Sequence, residues 1–192
     1  MMSRLVTPYA LFVAFAALLA ILERIFALTN ERRLRREEAR EIAPAVFFWM
    51  VPVYTLHFVA ALVEHAARDS RPPRAWVVAM AALFLASKGL KAWAILHLDG
   101  LFTMRVFIPA RPVVVQSGPY RLMRHPNYVA VVGEMAALPL LGGAWVTALV
   151  FGAAFLAILK ARVATEEDAL LGLPEYAARM ADRRRFLPGR AR

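Results

Sequence analysis

The chain contains no cysteine. That excludes a disulfide framework, a thiolate metal site and a cysteine nucleophile. Acidic side chains are scarce as well: 14 Asp and Glu stand against 24 Lys and Arg, for a formal net charge of +10. Such an excess suits nucleic acid, but no nucleic-acid-binding motif accompanies it. There is no Gly-rich nucleotide loop of the Rossmann type, no internal repeat and no low-complexity linker. His57, His65, His97 and His125 make no metal set. Only His57 and His65 share a helix face, and no carboxylate has ligand spacing with both. Each histidine is therefore read as a buried or snorkelling side chain.

What the chain has in excess is apolar side chain. Hydrophobic residues make up 60% of the 192 positions, and the mean hydropathy is +0.52. Soluble domains run at about 45–50% apolar, and a small domain leaves much of its surface in contact with solvent. Lipid is the solvent that fits. A helix needs about 20 apolar residues to cross a bilayer, and the sequence is read as about five such spans in one all-α domain, residues 1–192. The first runs from Leu5 to Leu28, too long for a signal-peptide core, and a charged connector follows from Thr29 to Glu41. The second runs from Ile42 to Ala66 and the third from Ala75 to Leu98, with Lys88, Lys91 and His97 placed to line a cavity or to snorkel. The fourth, from Pro126 to Leu141, and the fifth, from Ala144 to Leu159, are joined by Gly142-Gly143 as an antiparallel hairpin. The fifth is expected to continue as helix towards Leu171, and a last cationic helix is expected from Pro174 to about Arg184.

Arginine clusters in the first and third connectors and in the tail from Lys160. By the positive-inside rule this predicts the N-terminus outside and the C-terminus in the cytoplasm.

Residues 101–125 are too polar to span lipid, and a site facing water is expected there. A hairpin returns the chain to its starting side, so His125 and Glu166 should share one face of the membrane. Pro119 after Gly118 suits a turn, and Pro126 suits the first turn of a helix, where its missing N–H costs nothing. His125 and Asn127 then either cap that helix or bind a ligand at it. Arg162 and Glu166, four apart, share a helix face. They are either an interfacial ion pair or a device that orients an anion, since guanidinium grips carboxylate through two parallel hydrogen bonds.

The ordered set GPYRLMRHPNYVAVVGE, a hydrophobic hairpin, RVATEEDALL and PEYAARM resembles the isoprenylcysteine carboxyl methyltransferase family over about residues 100–186. The shared pattern is a Gly-x-Tyr turn, Arg-His-Pro-x-Tyr, two hydrophobic helices, an Arg four before a Glu, and a late Glu-Tyr. The resemblance implies a polytopic membrane protein with three helices over 1–98 and a catalytic core over 99–186. Its cytoplasmic S-adenosylmethionine pocket would be built from the 100–128 loop, the 126–160 hairpin and the C-terminal helices. By the same resemblance Val113, Val114, Val115, Tyr120, His125, Pro126, Asn127, Tyr128 and Glu166 bind the cofactor. Arg162 is the catalytic residue that meets the substrate, with Arg105 as a further contributor. The expected partners are a lipophilic or lipidated substrate and membrane lipid, with no nucleic acid and no metal.

The shortness of the chain, the displaced Gly172 and Glu134 in the hairpin are similar to a bacterial, inner-membrane branch. Part of that branch looks tied to O-methylation of alkylpyrones, so the acceptor is a prenylcysteine-type carboxylate or an alkylpyrone-type enol. Membrane sterol reductases share an Arg-His-Pro-x-Tyr-like segment and use NADPH. An NADPH oxidoreductase and a small membrane transporter or scaffold are therefore the competing readings.

Overall fold

The computed structural model describes residues 7–111 and 113–190. The start of the first expected span, at Leu5, lies outside them. The chain runs α1 (Pro8–Arg36), β1 (Arg40–Ile42), α2 (Pro44–Ala67), α3 (Arg74–Leu98), β2 (Val106–Ile108), α4 (Pro126–Leu141), α5 (Trp145–Leu171) and α6 (Pro174–Met180), with 3-10 turns at Asp99–Leu101 and Gly118–Arg121. It is an all-α membrane protein with a single two-stranded ladder among the described residues. Helices α1, α2, α3 and α5 are long and apolar enough to cross a bilayer, and α4 is a shorter apolar helix.

The outer faces of the four long helices carry exposed Leu11, Phe15, Leu18, Trp49, Val63, Leu85, Leu96 and Leu149. Water would penalise such a surface, whereas lipid solvates it. Helix α4 contributes no large exposed apolar side chain. Its Ala130, Met135, Ala137 and Leu138 are all buried, because α4 sits inside the ring of the other helices. Its most extensive partner is α3.

Two helix starts have identifiable caps, one local and one supplied by another helix. Thr7 caps α1 by accepting from the Ala10 N–H at 3.1 Å, and Pro8 occupies the first turn. Helix α5 has no capping side chain of its own. Glu64 of α2 supplies one, accepting from the backbone of Val146 at 3.1 Å and Thr147 at 2.7 Å. A carboxylate there also suits the positive end of the helix dipole.

Two expectations are corrected. The charged connector after the first span is not a separate element: α1 runs unbroken to Arg36. Its Glu31 is tied to Arg24 at 2.7 Å, and Arg33 and Glu37 pair four apart. The basic last turn also favours the negative end of the helix dipole. The last helix stops at Met180 rather than near Arg184. Residues beyond it turn back as a strap, hydrogen-bonded to residues 122–125 through Arg124 N–H to Arg184 C=O at 3.0 Å, His125 N–H to Arg185 C=O at 2.9 Å and Gly189 N–H to Leu122 C=O at 3.1 Å.

The ladder pairs Arg40 with Ile108, Glu41 with Phe107 and Ile42 with Val106, antiparallel. It ties the connector after α1 to the loop after α3 at the end of the bundle where α4 begins.

Candidate functional site

At that end, residues of α4, α5, α6, β2 and the 98–125 loop enclose a cavity of about 170 Å³. Its backbone scaffold begins at Gly118, which has φ +55°. A Cβ added there would lie 2.5 Å from the ring of His97, so the turn needs glycine both for its conformation and for space. The turn delivers Tyr120, buried, onto the cavity wall. The Arg183 guanidinium in the strap donates to the Tyr120 carbonyl and, at 3.3 Å, to Gln116 Oε1.

His125 stands at the cap of α4 and is 4% exposed. Its Nε2 lies 3.0 Å from Glu167 Oε1, and its ring stacks on Tyr128 with centroids 5.3 Å apart. Glu167 is the hub of a buried charge cluster. It is 3.3 Å from Arg124 and 2.7 Å from Arg185. The Arg185 contact comes from the C-terminal strap, which thereby holds the His125 side chain through Glu167.

On the facing side, α5 presents Arg162 and Glu166 one turn apart. The Arg162 Nε donates to the Tyr128 hydroxyl at 2.7 Å, and the Tyr128 O–H donates to Glu166 Oε2. Arg162 is 5% exposed, with its guanidinium over the Tyr128 ring at 5.6 Å. Its Nη1 also reaches Met50 Sδ at 3.7 Å.

Of the residues singled out from sequence, Val113, Val115, Tyr120, His125, Asn127, Tyr128, Arg162 and Glu166 all line this cavity. Arg105 lines it too, held between Glu41 and Glu31. Val114 does not line it. Pro126 does not line it either: it is fully buried, and its part is to start α4. The hairpin argument holds geometrically, because His125 and Tyr128 meet the acidic residues of α5 directly.

Glu167 is not among the residues to which the sequence points. The sequence shows adjacent acids at 166 and 167, which point to different faces of a helix, and only the packing of the strap reveals that the second is buried. Tyr176, from the late Glu-Tyr, also lines the cavity, whereas Glu175 is exposed and paired with Arg179 at 2.9 Å.

Burial, and after it the nearby Glu166 carboxylate, raises the Tyr120 phenol and pushes the Tyr176 phenol up to about 12. Both keep their protons at neutral pH. Two polar atoms around the cavity have no hydrogen-bond partner: Arg124 Nε, a donor, and Asn127 Oδ1, an acceptor. Buried polar groups are nearly always satisfied, so an unpaired donor and an unpaired acceptor on one cavity wall suit a polar ligand.

A second cavity, of about 470 Å³ and mostly apolar, lies between α1 and α2 and reaches α4 and α5. The two cavities share Phe102, Thr103, Asn127, Tyr128 and Arg162. Arg162 and Tyr128 thus stand on the boundary between a chamber of mixed lining and a mostly apolar one.

The chain is 27% identical over 148 residues to the uncharacterized protein YpbQ of Bacillus subtilis (strain 168), a match covering 77% of this chain and 88% of the relative. Residues 78–172, which carry α3, the α4–α5 hairpin and most of the cavity wall, match the model of the isoprenylcysteine carboxyl methyltransferase (ICMT) family, and by that match the chain belongs to this family of membrane methyltransferases.

Proposed function

We propose that the protein is an S-adenosylmethionine-dependent O-methyltransferase acting on a lipophilic acceptor with an anionic oxygen. The observation that carries this reading is the placement of Arg162, at the junction of a smaller cavity of mixed lining and a larger, mostly apolar one. Such a position suits two ligands of opposite character that must meet.

The donor set of the smaller cavity fits the cofactor. Glu166 and the unpaired Asn127 Oδ1 offer acceptors for ribose hydroxyls and an amine. Arg124 Nε offers a donor to a carboxylate, and Tyr120, Tyr128 and Tyr176 offer aromatic surface. Bound there, S-adenosylmethionine supplies a sulfonium methyl group, which an anionic oxygen takes by in-line displacement.

The residues of this chain bind, orient and exclude water. A carboxylate or acidic enolate is already a nucleophile at neutral pH, so no strong base is required. Arg162 fixes the acceptor oxygen, and Tyr128 fixes Arg162. Alignment of this kind can supply on the order of 7–11 kcal/mol. The apolar cavity takes the acceptor's hydrocarbon from the lipid side, between α1 and α2. Arginine in the connectors at the site end and in the tail supports a cytoplasmic site in the bacterial inner membrane.

The test is binding of S-adenosylmethionine to detergent-purified protein, with NADPH as the competing ligand. Micromolar binding that is lost in Glu166→Ala and weakened in His125→Ala is the expected result. A folded sample that takes NADPH and ignores S-adenosylmethionine would overturn the reading.

A further inference from the structure

The larger cavity holds a feature that methyl transfer does not use. Four charged side chains meet in the middle of the bundle: Glu23 of α1, Lys88 and Lys91 of α3, and Glu134 of α4. Lys88 lies 2.7 Å from Glu23 and 3.1 Å from Glu134; Lys91 lies 2.5 Å from Glu23 and 3.2 Å from Glu134. Tyr54 of α2 donates to Glu134 at 3.4 Å. The set is neutral in sum, but four ionised groups in a membrane interior are expensive, and such groups mark functional sites more often than scaffolding. Helix packing does not require them: α3 and α4 already pack closely, with Gly133 against Ser87 so tight that a Cβ would lie 2.2 Å from the Ser87 hydroxyl oxygen.

The quartet is not closed on all sides. Glu23, Lys91 and Tyr54 form part of the wall of the apolar cavity, whereas Lys88 and Glu134 lie behind it. A carboxylate oxygen has room for more than one donor: Glu23 Oε2 faces Lys91 Nζ at 2.5 Å, and Glu134 Oε1, behind it, is buried with no partner. The cavity wall therefore shows one cation beside one carboxylate with acceptor capacity to spare. This pair suits a neutral group that both donates and accepts, a hydroxyl or an amide.

Its depth is set by α4. Glu134 is six residues beyond Tyr128, or about 9 Å along the helix, and Tyr128 holds Arg162.

We infer that Glu23 and Lys91 form a polar subsite for a hydroxyl or amide N–H carried on the acceptor's chain, at the level of Glu134, about 9 Å along α4 from the Tyr128 that holds Arg162. The acceptor is then a polar-substituted lipid rather than a plain hydrocarbon acid. The inference rests on the reading of Arg162 as the acceptor's anchor.

The test compares two probes on the detergent-purified full chain: palmitic acid, and palmitic acid hydroxylated about 9 Å from its carboxylate. Wild type should bind the hydroxylated acid about tenfold tighter, the scale of a hydrogen bond to a charged group. Glu23→Leu combined with Lys91→Met keeps the Lys88–Glu134 pair and the net charge and leaves no hydrogen-bonding group at the subsite. It should bind both acids alike while holding S-adenosylmethionine as wild type does. Arg162→Met should weaken both acids and leave their ratio intact. Equal binding of the two acids by wild type, or a preference that survives the double substitution, overturns the subsite.

A photoactivatable diazirine at the hydroxyl-bearing carbon gives a second readout that needs no variant. Labelling on α1 or α3 near Glu23 and Lys91 supports the subsite, and labelling confined elsewhere overturns it. If wild type shows the preference but ignores S-adenosylmethionine, the methyltransferase reading falls and the subsite stands. If it binds S-adenosylmethionine and shows no preference, the subsite falls alone.

Discussion

Arg162 and Tyr128 are joined by a single hydrogen bond, Nε to the phenol oxygen at 2.7 Å, and the same phenol donates onward to Glu166. The residue proposed to hold the acceptor and the residue proposed to hold the cofactor are thus linked through one hydroxyl. Tyr128→Phe removes that link and keeps the ring beneath the guanidinium. Turnover should fall by about 100-fold, the scale at which a small misplacement of reacting groups acts. S-adenosylmethionine affinity should change much less. Parallel measurement of kcat and of cofactor binding checks this, and a variant with unchanged kcat would remove Tyr128 from the positioning role.

Glu167 answers three cationic or polar partners from a buried position: His125, Arg124 and Arg185. Glu167→Ala leaves Arg124 with no partner and unfastens the strap. Loss of a buried charge partner is strongly destabilising, and because Arg185 is about half exposed the expected loss is about 2 kcal/mol. A lower thermal unfolding midpoint in detergent, together with weaker S-adenosylmethionine binding, is the expected pair of results. Truncation after Met180, which removes the strap itself, should reproduce both.

Gly118→Ala carries two separate penalties. The left-handed conformation costs a residue with a Cβ about 1–2 kcal/mol, and the new methyl group meets His97. His97→Ala should rescue the steric part and leave the conformational part. Unfolding midpoints of the two single variants and the double variant separate the contributions, and full rescue would show that backbone strain plays no part.

Glu41 gives the structure a pH dependence at the ladder. Burial works to raise its carboxyl, but hydrogen bonds from Arg105 and Arg35 outweigh this and hold it below the ordinary carboxylate range. A lowered folded-state value means that the stabilisation is complete above the unfolded value of about 4.3 and is lost as pH falls through the folded one. Glu41→Gln should therefore unfold more easily than wild type at pH 7, and the two should converge in acid. A difference that persists at pH 3 would point to a cause other than this ionisation.

Much of this molecule is legible in the sequence. The apolar run lengths place both ends of α2, α3 and α4 and the start of α5 within a residue or two, because a membrane helix is a local object that satisfies its own backbone; α5 then continues past its apolar run to Leu171, as expected. Pro126 and Gly118 mark the turns of the site for equally local reasons. The Arg162–Glu166 spacing follows from the helix period alone. Charged α1 residues read as a connector because polarity marks the edge of lipid, yet helix propensity carries α1 past that edge to Arg36.

The rest depended on segments distant in sequence. That β1 and β2 pair, that the tail folds back against residues 122–125, and that Glu167 rather than Asp168 is buried are outcomes of packing between elements many residues apart. So is the fate of the intramembrane charges. The sequence shows Glu23, Lys88, Lys91 and Glu134 as four separate anomalies in apolar helices, but only the arrangement of α1, α3 and α4 brings them into one neutral quartet beside a cavity. A charge in lipid must find its partner through space, and chain order does not say which helix will supply it.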